Sequence, residues 1–268
     1  MVDIIEINNA SASAKIALQG AHVFHYARHA DKPLLWLSEI SDFEKGKAIR
    51  GGIPICWPAF GMNNPDLPQH GFARTTLFEH LSTKEIDAKT TEVILILKHS
   101  QDTLKLWPYK FYLELKITVS DKLTMELTTT NLDAKTFKIT QALHTYFDIS
   151  HISDVSINGL DKKPYLDALT NKQEVQSGDV IFKEEVDRVY QEVDAEILLR
   201  DKERTIHIQN EGSSSVVVWN PWIEKAKRMG AMKDEAYNDF VCIESANAFE
   251  DFIKIEPNCS HTLKAIIY

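Results

Sequence analysis

The stretch FYLELKITV, residues 111–119, decides the fold class because apolar and polar residues alternate along its whole length. One face of an extended chain receives the apolar set, Phe111, Leu113, Leu115, Ile117 and Val119, and the opposite face receives the residues between them. A repeat of two residues is typical of a β-strand with one buried face. The stretch therefore predicts a strand that covers a hydrophobic core.

The same pattern returns along the rest of the chain. Strand-like segments are TEVILILK, KLTMEL, TFKIT, EILL, RTIHIQ, SVVVW, FVCIES and HTLKAII, and turn residues separate them at 120–121, 210–212 and 257–258. The best helical signal covers Trp222–Met232, with Pro221 at the first helical position. Many strands and few helices predict an all-β sandwich or barrel. No linker, repeat or low-complexity tract interrupts the 268 residues, so we expect one domain over 1–268.

Composition excludes several classes of function. The net charge of −9 disfavours binding to DNA or RNA, and the basic cluster Lys225, Lys227 and Arg228 is interpreted as a solvated helix face. No apolar run approaches the ~18 residues of a membrane helix, and no signal peptide is evident at the start. The three cysteines, Cys56, Cys242 and Cys259, form no CxxC pair and favour a reducing, cytoplasmic location. No metal-binding motif is present, so no metal or cofactor is expected.

Three segments break the alternation and are dense in Gly, Pro and aromatic residues: 48–61, 69–74 and 219–222. In the first, AIRGGIPICWPAFG, Arg50 precedes two glycines that permit unusual backbone angles or close approach to a ligand. A tight turn before a buried strand explains this segment equally well. A rigid β scaffold carries its function in such irregular segments.

The second irregular segment, QHGFAR, combines an amide, an imidazole and a guanidinium within six residues. Gln69 and His70 can hydrogen-bond hydroxyl groups, and Arg74 can grip an anion through two N–H groups. The mixture suits a polyhydroxylated ligand that carries negative charge. The competing interpretation is a polar loop with an incidental arginine.

Two strand segments contain ionisable residues among apolar ones. His144 shares a strand face with Ala142 and Tyr146 in QALHTYFDI, and its ordinary pKa suits acid–base chemistry near neutral pH. Glu244 shares a strand face with Cys242 and ends the apolar run FVCIE, where burial would raise its pKa and make it a usable base. A satisfied core histidine and a paired structural carboxylate account for these residues just as well.

The order of these motifs resembles the glucose-6-phosphate 1-epimerase (hexose-6-phosphate mutarotase) family, within the galactose-mutarotase-like superfamily. The matching stretches are GAHV, LLWLS, IRGGIPICWPAFG, QHGFAR, LHTYF, VDRVY, VVWNPW, VCIESAN and PNCSHTL, which cover nearly the whole chain. The resemblance implies a large antiparallel β-sandwich with the active site in a cleft on one face. Asn258 stands where that family's last turn has glycine, and asparagine tolerates the left-handed angles that such a turn requires.

The resemblance also assigns roles by motif. It implies that His144 is the catalytic acid and Glu244 the catalytic base, that Arg50 and Arg74 bind the substrate and its phosphate, and that Gln69 and Asp187 contact the substrate. The implied reaction interconverts the α and β anomers of a hexose 6-phosphate through the open-chain aldehyde, in a monomer without a cofactor. We expect an acidic site and an incoming dianion to keep His144 protonated.

Two other functions remain open from the sequence. One is an aldose mutarotase that acts on unphosphorylated hexoses, against which the two arginines argue. The other is a non-catalytic sugar-phosphate-binding protein on the same fold, against which the intact His144 and Glu244 argue.

Overall fold

Strands account for nearly all regular structure in the computed structural model of the protein, which describes residues 2–62 and 64–268. In the first half of the chain they are β1 (Ile4–Asn8), β2 (Ala12–Ala17), β3 (His22–Arg28), β4 (Ile55–Cys56), β5 (Glu79–Asp87), β6 (Thr90–Lys98), β7 (Phe111–Val119), β8 (Leu123–Asn131), β9 (Phe137–Ile139), β10 (Gln141–Leu143) and β11 (Tyr146–Asp148). In the second half they are β12 (Ser156–Asn158), β13 (Pro164–Asp167), β14 (Lys172–Val175), β15 (Val180–Ile181), β16 (Val186–Tyr190), β17 (Ile197–Arg200), β18 (Thr205–Glu211), β19 (Ser215–Asn220), β20 (Phe240–Asn247), β21 (Ile253–Ile255) and β22 (Ser260–Ile267).

Two large antiparallel sheets dominate the described part of the chain. One has nine strands in the order β15-β12-β17-β18-β22-β8-β7-β6-β5. The other has eight and runs β14-β13-β16-β19-β20-β10-β4, with β11 also paired to β20. A three-stranded sheet, β1-β2-β3, and a small pair, β21-β9, complete the strands. The prediction of an all-β fold is confirmed.

The two large sheets pack face to face as a sandwich. In β7 the predicted alternation is confirmed, since Leu113 and Leu115 are fully buried while the residues between them are half-buried. These leucines belong to the same apolar cluster as Val216 of β19 and Ile243 of β20. Neighbouring residues on the other face of β19 and β20 belong to a second apolar cluster. The eight-stranded sheet is therefore covered on both faces at its centre, which explains why β20 is buried throughout.

The prediction of a helix over Trp222–Met232 is wrong in length. The helix α2 covers only Trp222–Ala226, and Pro221 lies at its N-cap rather than at its first helical position. After Ala226 the backbone bonds join residues three apart, from Arg228 N–H to Lys225 O and from Met229 N–H to Ala226 O. The chain thus tightens into turns instead of extending the helix.

A second short helix, α1 (Gln101–Leu106), was not predicted. Its N-terminus is a capping box, in which the Ser100 side chain accepts from Thr103 N–H and the Thr103 side chain accepts from Ser100 N–H. Such a reciprocal pair satisfies two backbone donors that the helix leaves free. Among the residues that the structure describes, no helix is long and apolar enough to cross a membrane.

The segment QALHTYFDI forms two strands, β10 and β11, rather than the one predicted. The break falls at His144 and Thr145, where the neighbouring chain contains Pro54. His144 N–H donates to Pro54 O, but proline has no N–H to complete the ladder. The faces stay as predicted, because Ala142 and Tyr146 belong to the second apolar cluster and Leu143 to the first.

Candidate active site

A cleft of about 630 Å³ opens on the face of the eight-stranded sheet that points away from the nine-stranded sheet. Its lining includes all the site residues named from the sequence: Arg50, Gln69, His70, Arg74, His144, Asp187 and Glu244. These residues come from separate motifs along the chain. The structure therefore brings every predicted site residue into one place.

Strand register explains why His144 and Glu244 meet. Leu143 of β10 pairs with Ser245 of β20, and Tyr146 of β11 pairs with Cys242. The same register continues across the break and places His144 opposite Glu244, since Ile243 N–H also donates to Thr145 O. Residues in facing positions on neighbouring strands project to the same side of the sheet.

The two side chains approach closely within a nearly closed environment. His144 Nδ1 lies 3.4 Å from Glu244 Oε1, and the side chains are only 10% and 2% exposed. Among the described residues, His144 Nδ1 and Glu244 Oε2 are buried without a hydrogen-bond partner. Buried polar atoms normally have partners, and functional sites are where exceptions occur.

The surroundings of His144 and Glu244 change the pKa of each side chain in the direction that favours its neutral form. Burial lowers the pKa of His144 well below its usual value, and His70, Arg74 and Arg50 add to the effect. Burial raises the pKa of Glu244 well above its usual value, with a contribution from Asp187 that Arg74 opposes. In the protein alone, burial thus favours neutral His144, and the expectation that an acidic site with an incoming dianion keeps it protonated stays a prediction.

Arg50 reaches the cleft from the turn before β4. Its Nη1 donates to the Tyr146 hydroxyl over 3.3 Å, and its backbone N–H donates to Ser41 Oγ. Its Nε is buried and has no hydrogen-bond partner among the described residues. After it, Gly51 adopts a φ of +105°, and an added Cβ would lie 2.5 Å from Trp36 O. The glycine is needed for close contact between two backbone segments.

The QHGFAR loop presents His70 and Arg74 to the same cleft. Gly61 N–H donates to His70 Nδ1 over 3.2 Å, so the neutral ring carries its proton on Nε2. Burial, Arg74 and Arg50 lower the pKa of His70 to about 3. Arg74 Nη2 donates to the backbone oxygen of Gln69 over 2.8 Å, which fixes the guanidinium beside the loop.

Asp187 lies on the opposite side of the pair from Arg50. It is on β16, two strands from β20 on one side, whereas Arg50 precedes β4, two strands from β20 on the other. Burial raises its pKa above the usual value, and Lys225 opposes the shift. Asp187 and Arg50 therefore line opposite sides of the same cleft.

Sequence reasoning gave no site role to Tyr146 and Lys225, which line the cleft, and it named Trp219 only as part of the irregular segment 219–222. Tyr146 had a signal, because it shares the strand face of His144. Trp219 is a buried residue of the second apolar cluster that also lines the cleft. Lys225 was interpreted as part of a solvated helix face, which is wrong because it lines the cleft.

The model of the aldose 1-epimerase family matches residues 3–268. The chain belongs to the aldose 1-epimerase family. Its membership agrees with the antiparallel sandwich.

Relatives within the aldose 1-epimerase family have a more specific name. A protein of Cenchrus ciliaris named "Putative glucose-6-phosphate 1-epimerase" is 38% identical over 256 residues, which cover 91% of this chain and 77% of that protein. An Escherichia coli K12 protein of the same name is 35% identical, over 93% of this chain and 84% of its own length. A solved structure is also similar, the crystal structure of a "putative mutarotase" from Salmonella typhimurium. It superposes on this chain with a TM-score of 0.93 at 32% identity, and the match covers 99% of this chain and 90% of that one.

Proposed function

We propose that the protein interconverts the α and β anomers of hexose 6-phosphates, with glucose 6-phosphate as the main substrate. The observation that carries the proposal is the convergence in one cleft of a buried acid–base pair, His144 and Glu244, with two arginines, Arg50 and Arg74. The names of the relatives at 35–38% identity agree with it.

Ring opening needs two proton transfers. Glu244, as carboxylate, takes the proton of the anomeric hydroxyl, and His144, as imidazolium, gives a proton to the ring oxygen as the C1–O5 bond breaks. Rotation about C1–C2 presents the other face of the aldehyde, and the reverse transfers close the ring. Positioned groups of this kind contribute typically ~10²–10⁴-fold each.

The pKa shifts of the pair bear on this cycle. The protein's own groups favour neutral His144 and neutral Glu244, which is the state that ring opening leaves behind. The reactive state differs only in the position of one proton, and the facing atoms lie 3.4 Å apart. A dianion at Arg50 and Arg74 cancels part of the positive field that lowers the pKa of His144. It also cancels the field of Arg74 that lowers the pKa of Glu244. Substrate binding therefore raises both pKa values, which makes His144 easier to protonate and Glu244 a stronger base.

The arginines account for the phosphate. A phosphate monoester carries about −1.5 to −2 charges near neutral pH, whereas the protein has a net charge of −9. Arg50 and Arg74 line the cleft and supply local positive charge there. Guanidinium groups suit this role because they can bind phosphate oxygens in pairs.

Two-dimensional exchange NMR tests the proposal directly. We expect the protein to accelerate exchange between the anomers of glucose 6-phosphate, and to do so far more efficiently than for glucose at equal concentration. Glu244→Gln provides the background rate. Equal efficiency for both sugars would favour an aldose mutarotase for unphosphorylated hexoses. Binding of glucose 6-phosphate with exchange at the buffer rate would favour a non-catalytic binding protein.

We further propose that the protein acts as a cytoplasmic monomer with one domain over 1–268. The cleft draws all seven predicted site residues from a single chain, so a second copy is not needed to complete it. The three cysteines are free, and Cys259 is exposed, which suits a reducing compartment. Light scattering coupled to gel filtration measures the oligomeric state, and a mass of twice 30.5 kDa would contradict the monomer.

A further inference from the structure

Opposite the arginines, the cleft has a polar corner formed by Glu185, Asp187, Trp219 and Lys225. Lys225 is a cation that has no part in the acid–base chemistry. Lys225 Nζ lies 2.8 Å from Glu185 and 3.6 Å from Asp187, and it lies 5.8 Å from the centre of the Trp219 ring. Its side chain is one-third exposed and lines the cleft. An ammonium group has three N–H donors, so two carboxylate contacts leave one donor for a ligand.

The chain makes an unusual turn to bring Lys225 to this place. Trp222 adopts a φ of +53°, which is rare for a bulky side chain. The turn is held by Asn220, whose Oδ1 accepts from Trp222 N–H and whose Nδ2 donates to the backbone oxygens of Tyr237 and Phe240. Left-handed backbone in non-glycine residues concentrates at functional sites, where the surrounding contacts offset its cost.

The position of this corner relative to the acid–base pair indicates which hydroxyl groups of a bound sugar would lie next to it. Asp187 and Lys225 lie on the β16 side of Glu244, and Arg50 lies on the β4 side. We place C1 and the ring oxygen at the pair and the phosphate on C6 at the arginines. C6 is attached to C5, and the ring carbon across from C5 is C2, with C3 next to it. The hydroxyl groups on C2 and C3 therefore face the corner.

The corner offers what such a hydroxyl pair needs. A hydroxyl both donates and accepts, and here a carboxylate that accepts lies beside an ammonium that donates. Trp219 supplies an apolar surface next to them. Lys225 also favours the ionised form of Asp187, since its positive charge opposes the effect of burial, which raises the carboxyl group's pKa.

We propose that Lys225 is a specificity-determining residue, which donates its remaining N–H to one of the C2 and C3 hydroxyl groups of the hexose 6-phosphate, while Asp187 accepts from the same pair. This inference rests on the proposed function. It goes beyond that function because it assigns discrimination between sugars to a residue on α2, outside the motifs that carry the acid–base pair and the arginines.

The test is a cycle of enzyme variants and deoxy sugars. Lys225→Met should lower kcat/KM for glucose 6-phosphate by about 10- to 100-fold, as loss of a hydrogen bond from a charged group does. It should lower kcat/KM much less for the deoxy sugar, 2-deoxyglucose or 3-deoxyglucose 6-phosphate, that lacks the hydroxyl group bound by Lys225. Lys227→Met is the matched control, because Lys227 lies two residues further on and pairs with Glu224 at the surface. We expect it to behave as the wild type does.

A second variant separates recognition from positioning. Lys225→Gln keeps an N–H donor without the charge, so it should recover part of the loss if Lys225 contacts the sugar. If Lys225→Met reduces kcat/KM for the parent and both deoxy sugars by the same factor, or if Lys225→Gln recovers none of the loss, Lys225 does not contact the sugar and the proposal is overturned. An effect no larger than that of Lys227→Met overturns it as well.

Binding of 1,5-anhydroglucitol 6-phosphate separates this inference from the proposed function. This analogue keeps the C2 and C3 hydroxyls and the phosphate but has no anomeric hydroxyl, so calorimetry reports recognition without ring opening. We expect Lys225→Met to weaken its binding about 10-fold or more, and Lys227→Met to leave it unchanged. Wild-type protein that binds it but does not catalyse exchange refutes the function alone, while unchanged affinity in Lys225→Met refutes the inference alone.

Discussion

Tyr146 lies flat against His144, with ring centroids 4.9 Å apart and ring planes only 8° apart. The hydroxyl of the same tyrosine accepts a hydrogen bond from Arg50. One side chain thus connects the acid–base pair to the proposed phosphate site. The ring fixes the orientation of the imidazole, and the hydroxyl fixes the guanidinium.

Tyr146→Phe should separate these two effects. Phenylalanine keeps the stack on His144 but removes the acceptor for Arg50, so we expect KM for glucose 6-phosphate to rise about two- to tenfold with kcat nearly unchanged. Initial rates of anomer exchange over a range of substrate concentrations give both constants. Tyr146→Ala should lower kcat as well, because the imidazole loses its support. An equal fall in kcat for both variants would mean that the hydroxyl, not the stack, orients His144.

Glu244→Gln and His144→Asn should each lower the catalysed exchange rate by ~10²–10⁴-fold. Both replacements retain hydrogen-bonding groups of similar size but cannot take part in proton transfer near neutral pH. Thermal unfolding should show that the fold is intact. Glu244→Gln should not lower the free energy of unfolding, because burial already disfavours the charged carboxylate and raises its pKa. Near-normal exchange in either variant would remove that residue from the mechanism.

The face of the sheet that carries each proposed catalytic residue could be predicted from the sequence, but not their contact. Alternation placed His144 with Tyr146, and Glu244 with Cys242, as the structure confirms. That the two residues face each other depends on the register between segments 100 residues apart. Local pattern contains no information about such a register, because it is fixed by long-range pairing. Only resemblance connected the two residues before the structure did.

The length of α2 is a second feature that the sequence did not predict. Its composition favours a longer helix, and nothing in the local pattern reveals the positive φ of Trp222 or the bonds from Asn220 that hold the turn. Tertiary contacts override helix propensity here. Because the turn decides where Lys225 points, a basic residue that the sequence placed in solvent lies at the cleft.

Arg74→Ala should raise KM for glucose 6-phosphate far more than it lowers kcat. The guanidinium binds the phosphate, which lies far from C1. The same contact exists in the ground and transition states, so its loss weakens both equally and raises KM rather than lowering kcat. KM for unphosphorylated glucose should change little. Arg74→Lys is the control that keeps the charge but not the paired N–H groups. An equal effect on both sugars would refute the phosphate role.

His22 should make stability depend on pH. It is fully buried behind the Arg50 turn, bonds the Gly51 carbonyl over 2.8 Å through Nε2, and burial lowers its pKa to about 4. The unfolded chain, with an ordinary pKa near 6.5, binds an extra proton between these values, so the free energy of unfolding falls as pH drops through that window. The loss reaches about 3 kcal/mol at pH 4.

Urea unfolding of the wild type and His22→Gln between pH 7 and pH 4 measures this contribution. Glutamine does not titrate, so the free energy of unfolding of the variant lacks the part of the pH dependence that His22 causes. The stability difference between the two proteins should therefore shrink by about 3 kcal/mol on acidification. His70 and His144 also have lowered pKa values and affect both proteins alike. A constant difference across this pH range would show that His22 is not neutral in the folded state.

Gly71→Ala should destabilise the fold through a backbone clash. Gly71 has a φ of +70°, and a Cβ there would lie 2.1 Å from Trp57 O and 2.4 Å from Trp57 C. Gly178 has almost the same φ, +71°, but no atom within 4 Å of an added Cβ. Gly178→Ala therefore measures the cost of the left-handed backbone alone, about 1 kcal/mol.

We expect Gly71→Ala to cost at least about 2 kcal/mol more than Gly178→Ala, because the Trp57 backbone must move. Since Gly71 lies between His70 and the turn that carries Arg74, that movement should also raise KM for glucose 6-phosphate, whereas Gly178→Ala should leave KM unchanged. Chemical denaturation and exchange kinetics on the same preparations measure both effects. Equal destabilisation by the two substitutions would show that the loop yields easily, and that contact with Trp57 does not hold His70 and Arg74 in the cleft.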